Sequence, residues 1–145
     1  TDLSGAEVCA LAPDAETGSV LGGTVTRTTA STTGTPQCMY FLKTDAGTSV
    51  SVTVAVQRAD GDLGGKTGSK AYKYVLKQNK RYSGGAEFVK LAGVGTMASY
   101  ADGPNTNLAF ALTKDGRVIT MAGTDLTKQR AQEFGKLMVG NLPTS

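Results

Sequence analysis

Between Ser49 and Gln57 the chain places Val50, Val52, Val54 and Val56 at every second position, with Ser51, Thr53 and Ala55 between them. Successive side chains of a β-strand point to opposite faces, so this alternation predicts a strand with one core face and one lightly polar face. Such a strand needs neighbours for its backbone and a layer to cover its valines. The rest of the chain is read for what could supply them.

Further strands are expected at Thr24 to Ser31, which is rich in Thr and Val, and at Cys38 to Lys43, where Met39 and Phe41 oppose Tyr40 and Leu42. Ala86 to Leu91 reads as a short strand, and Gly93 and Gly95 as a tight turn before a segment through Tyr100. Asn107 to Thr113 and Arg117 to Ala122 alternate on either side of Lys114, Asp115 and Gly116. Asp-Gly in that position is a strong hairpin signal. Short turns between strands imply antiparallel pairing.

Helices are expected at both ends and once in the middle. Ser4 and Glu7 have the spacing of a capping box, which starts a helix over about Gly5 to Leu11. Pro13 and Asp14 restart a second one that buries Val20 and Leu21 and stops at Gly22 and Gly23. A third runs from Ser69 to Tyr82 with Tyr72, Val75 and Leu76 on one side. The last spans Leu126 to Val139, capped by Thr124 or Asp125, burying Leu126, Phe134, Leu137 and Met138 and stopping at Gly140. The pattern is α+β, an antiparallel sheet flanked by helices, within a single domain over residues 1–145. A chain of 145 residues can bury about 70% of its unfolded surface in one core.

Two cysteines and no histidine narrow the chemistry. Ser-His-Asp and Cys-His catalysis, imidazole metal ligands and an imidazole switch near neutral pH are all excluded. Cys9 and Cys38 lack CxxC spacing, so a structural disulfide is the favoured reading, ahead of two buried free thiols or one reactive thiol. A disulfide implies an extracytoplasmic compartment. The longest apolar run, Leu108 to Leu112, is far short of the roughly 20 residues that span a bilayer, so a soluble chain without a transmembrane segment is expected. The chain opens at Thr1 without an initiator Met or an apolar leader core, from which removal of a preceding segment is expected.

Charge is unevenly placed. Lys66, Lys70, Lys73, Lys77 and Lys80 are spaced four, three, four and three apart, which lines them along one face of a helix, and Arg81 follows. No acid lies within this stretch, which leaves nine basic against twelve acidic residues elsewhere, a net of −3. Such a stripe attracts anionic lipid, cell-wall polyanion or an acidic partner, or simply keeps a helix face solvated. Nucleic acid is not expected, because Tyr72 falls on the core side instead of among the cations. Asp60 and Asp62 sit in a Gly-containing link, but the remaining ligands of a calcium loop are missing. No cofactor and no metal site are expected.

The cysteines, the run Ala12, Pro13, Asp14, Ala15, Glu16 leading to Val20, Leu21, Gly22, Gly23, Thr24 and Val25, and the later Ala92, Gly93, Val94, Gly95, Thr96, Met97 and Ala98 together resemble a known pattern. It is that of small actinobacterial cell-envelope proteins, often lipoproteins, with a PsbP-like α/β/α sandwich. In such families the two cysteines commonly pair, which implies a Cys9–Cys38 bridge. The resemblance carries no catalytic residue over and implies a secreted or envelope binding or accessory protein. The lipid-anchoring cysteine of such lipoproteins has no counterpart among these residues. The expected function is therefore non-enzymatic binding. The alternatives are a small extracytoplasmic hydrolase using carboxylates or a Ser-Lys pair, and a surface-acting inhibitor or toxin-type protein.

Overall fold

The computed structural model describes residues 3–57, 68–80, 84 and 86–142. Two helices, α1 (Gly5–Ala10) and α2 (Asp14–Leu21), lead into three strands, β1 (Gly23–Ala30), β2 (Gln37–Thr44) and β3 (Ser49–Gln57). Then come α3 (Gly68–Asn79), β4 (Val89–Lys90), β5 (Met97–Asp102), β6 (Asn107–Leu112), β7 (Val118–Gly123) and α4 (Lys128–Asn141). The strands form one seven-stranded sheet in the order β1-β2-β3-β7-β6-β5-β4. Every pairing is antiparallel, as short turns require of successive strands; β3 with β7 is the pairing that no short turn makes.

Helix α1 begins as its capping box predicts. The Glu7 amide donates to Ser4 Oγ at 3.1 Å and the Ser4 amide to Glu7 Oε1 at 3.0 Å. The Ser4 backbone and hydroxyl hold the Glu7 carboxyl below its ordinary pKa. Helix α2 ends at Gly22, whose φ of 75° is a left-handed conformation that glycine adopts without a Cβ penalty.

The chain's one cysteine pair is bonded, joining α1 to β2 through Cys9 and Cys38 with a Cα–Cα separation of 5.1 Å. The same two elements are tied by Tyr40, whose hydroxyl donates toward Ala12 O at 2.9 Å and Cys9 O at 3.1 Å. Its ring meets Phe134 of α4 edge-on, with centroids 5.8 Å apart.

Helices α1, α2 and α4 cover one face of the sheet. The core between them is built from Val8, Leu11 and Leu21, from Tyr40, Val54, Met121 and Ala109 of the sheet, and from Phe134 and Met138 of α4. Helix α3 lies on the opposite face, where Ala71, Tyr72 and Val75 pack on Leu108, Phe110, Leu112 and Val118. Strand β6, covered on both sides, is buried from Leu108 to Leu112.

Several boundaries differ from the expectation. Helix α4 is capped by Thr127, whose hydroxyl accepts from the Arg130 amide at 3.2 Å, and not by Thr124 or Asp125. Leu126 is buried, but in the turn before the helix. Gly140 does not stop the helix, which continues to Asn141, where the Nδ2 amide donates to Leu11 O at 2.8 Å and holds the last turn against α1. Leu137 is half-buried at the flank of the core. The strand expected over Ala86 to Leu91 shrinks to Val89–Lys90.

Candidate functional site

The cationic helix face forms as its spacing predicts. Lys70, Lys73 and Lys77 on α3 and Lys80 just beyond it are exposed, while Ala71, Tyr72 and Val75 are buried and Leu76 is half-buried. Ten residues at 1.5 Å rise make this row about 15 Å long. Tyr72 fixes the orientation of the helix. Its hydroxyl donates to Ser99 Oγ of β5 at 2.6 Å, and burial raises its pKa while the Ser99 bond lowers it. Lys66 and Arg81, expected at the two ends of the row, lie outside the described residues, as do Asp60 and Asp62.

Among the described residues, helix α3 covers only the β6–β7 half of the sheet's outer face, for a reason written in its side chains. Leu108, Phe110, Leu112 and Val118 project toward α3 from β6 and β7. In the same plane β3 projects Ser49, Ser51, Thr53, Ala55 and Gln57, which offer a helix little apolar area to bury. Strand β2 adds Met39, Phe41 and Lys43, and β1 adds Arg27 and Thr29, which oppose Phe41 and Met39 in the register. Met39 is 37% exposed. The Arg27 guanidinium sits 4.1 Å from the centre of the Phe41 ring, a cation–π contact that holds the charge over an apolar surface.

An open concavity of about 550 Å³ lies there, lined by Thr26, Arg27, Phe41, Lys43, Ser49 and Ser51, with no carboxylate among the described residues of its lining. Thr26 is the extra residue of a bulge between Val25 and Arg27, and its hydroxyl donates to Phe41 O at 3.1 Å. Beyond the bulge, Arg27 to Ala30 pair in unbroken register with β2. β1 is one of the two edge strands of the sheet, β4 being the other.

A second concavity of about 660 Å³ brings Asp45 and Asp125 together at the β2–β3 turn and the loop before α4. Asp125 has a φ of 60°, the one non-glycine residue with positive φ among those described. It is engaged by Arg130, whose Nη1 donates to Asp125 Oδ2 at 3.0 Å and to its carbonyl at 3.2 Å. The next residue is fixed from below, with the Leu126 amide on Asn107 Oδ1 at 3.0 Å and its carbonyl accepting from the Tyr100 hydroxyl at 2.7 Å. Lys43 and Ser49 oppose each other across β2 and β3, and both are exposed. A Ser-Lys nucleophile requires a desolvated lysine, and this pair has none of that burial. Among the described residues no three His, Cys, Asp or Glu side chains gather to hold a metal ion. None of their helices is long and apolar enough to cross a membrane. Gly93 and Gly95 form the expected turn, with φ of 74° and 56°.

Comparison with protein-family models, with curated proteins and with solved structures finds no match for this chain.

The lysine row was visible in the spacing of its residues. The Arg27–Phe41 surface was not. The alternation in β2 puts Met39 and Phe41 on one face, but only the pairing of β3 with β7 decides that α3 covers β6 and that no described helix lies over the outer face of β2.

Proposed function

We propose that this is a non-enzymatic, extracytoplasmic binding or accessory module that engages an anionic envelope surface through α3. The observation that carries the reading is the arrangement of Lys70, Lys73, Lys77 and Lys80, exposed together on a helix whose other side is anchored by Tyr72 and Val75. Charges held in a row raise the local potential more than the same charges scattered over a surface. The Cys9–Cys38 bond supports an oxidising compartment. The resemblance to small actinobacterial envelope proteins supports the same assignment.

Co-sedimentation tests it. The protein should pellet with vesicles containing anionic lipid, or with isolated cell-wall polyanion, at low salt and be released near physiological ionic strength, because each lysine near such a surface contributes only about 1 kcal/mol and is screened. The two probes separate lipid from polymer. The K70E/K73E/K77E variant should lose binding while its melting temperature stays close to that of the parent, since exposed substitutions usually change stability by under about 0.5 kcal/mol. Unchanged sedimentation of the variant would leave the row as a solvating surface only.

A further inference from the structure

The half of the sheet's outer face that no described helix covers is a different surface from the lysine row, and its chemistry selects a different partner. Its strands β1, β2 and β3 project Arg27, Thr29, Met39, Phe41, Lys43 and the Ser/Thr column of β3, with two cations and no carboxylate. The region measures about 14 Å across three strands at the usual spacing and about 25 Å along them. It is shallow, and its concavity is open, so a small molecule would keep much of its surface in water there. A tight small-ligand site instead buries most of its ligand.

The features present are those of a protein-contact surface: an arginine held in place over an aromatic ring, an exposed methionine and a rim of hydroxyls. Strand β1 adds something a flat surface lacks. As an edge strand it pairs, among the described residues, with β2 alone, so the far edge of Arg27 to Ala30 offers main-chain hydrogen bonds to an added strand. The bulge at Thr26 interrupts that edge and sets where an added strand must begin.

We propose that the edge of β1 and the outer face around Arg27 and Phe41 dock an extended acidic segment of a partner protein. The main chain of that segment pairs along Arg27 to Ala30. A carboxylate side chain meets the Arg27 guanidinium, and an aliphatic side chain two residues along lies over Thr29 on the face that Met39 shares, because alternate residues of a strand share a face. Charge complementarity gives the sign of the partner, since Arg27 and Lys43 project from β1 and β2 into a concavity that no carboxylate lines among the described residues. The binding does not depend on α3.

The probe is a fluorescent peptide about eight residues long, to match a typical strand, in which Glu and Val occupy alternate positions of each face, with a Lys-for-Glu peptide of the same length as its control. Titration followed by backbone amide NMR should shift β1 and the outer part of β2 and leave α3 unmoved. The Arg27→Glu variant should weaken binding at least tenfold, and methylating the peptide's backbone nitrogens along one edge should abolish it. K70E/K73E/K77E should bind the peptide as the parent does, so failure of this proposal and failure of the α3 reading are told apart. The proposal is overturned if the acidic peptide does not bind, if the basic peptide binds equally, or if the shifts map to α3. It is equally overturned if Arg27→Glu leaves the peptide affinity intact but abolishes binding to anionic vesicles, which would make this face a membrane contact.

Discussion

Replacing Tyr40 with Phe removes one hydroxyl from the junction of α1, β2 and α4, and its effect should reverse sign with pH. Near neutrality the variant loses the hydrogen bond to Ala12 O at 2.9 Å, shared with Cys9 O at 3.1 Å. Neither acceptor is orphaned, because Ala12 O still receives Thr17 Oγ1 at 2.8 Å and Cys9 O still receives the Ala12 amide at 3.3 Å. The cost should therefore be the net value of one neutral hydrogen bond, about 1 kcal/mol, or about 3–4 °C in a domain of this size.

Alkaline pH adds an opposing effect. Burial, followed by smaller effects of Thr17 and Asp14, pushes the Tyr40 phenol up to about 12. A raised folded-state pKa means that the native protein holds the proton longer than the unfolded chain. The associated stability is thus complete below the ordinary tyrosine value and is lost as pH climbs toward the folded one. The side chain is buried, so solvent screens little of this. At about 1.4 kcal/mol per unit, about 3 kcal/mol is at stake, and about half of it is gone by about pH 11. The phenylalanine of the variant has nothing to titrate, so the parent and Y40F stability curves should cross a little below about pH 11. Tyr72 and Tyr100, also raised chiefly by burial, are common to both proteins and cancel. Urea denaturation from neutral to strongly alkaline pH, with the disulfide intact, gives both curves. A constant offset across the whole range would refute the claim that burial keeps this hydroxyl neutral.

Two more outcomes follow from the packing. Replacing both cysteines with Ala should lower stability by about 3 to 4 kcal/mol, the loop-entropy value for a bridge spanning 29 residues, read as a fall in urea midpoint with little change in slope. A smaller loss would mean that the unfolded chain already holds α1 near β2. Thr120→Val should be neutral or raise the melting temperature, because Thr120 Oγ1 is buried without a hydrogen-bond partner and removing an unsatisfied hydroxyl returns its desolvation cost of about 1 kcal/mol. A marked fall would reveal a partner for that oxygen.

Local chemistry made much of this fold legible. The capping box of Ser4 and Glu7, the valine alternation of β3, the Asp115-Gly116 turn and the spacing of Lys70, Lys73 and Lys77 each act within a few residues and each appears in its expected place. What stayed illegible depends on distant partners. Thr127 wins the α4 cap over Thr124 and Asp125 because the intervening turn is held by Asn107 and Tyr100 from other strands. The positive φ of Asp125 is secured by Arg130. Arg27 looks like an isolated charge in a Thr-rich strand until the register sets it beside Phe41.

The strand order has a consequence for how the molecule assembles. Strands β1, β2 and β3 follow one another in sequence and in space, as do β5, β6 and β7, so each group is a meander that can form through nearby pairings. A single seam joins them, the pairing of β3 with β7 from Val52–Gly123 to Gln57–Val118, whose residues come from opposite halves of the chain. Closing so long a loop has an entropic cost that the seam's hydrogen bonds repay only once both meanders exist. The Cys9–Cys38 bond ties α1 to the first meander and does not shorten that loop, so oxidation steadies one half of the protein without hastening its union with the other. Gly123 marks how tightly the seam closes, with a Cβ there only 2.9 Å from Ser51 O.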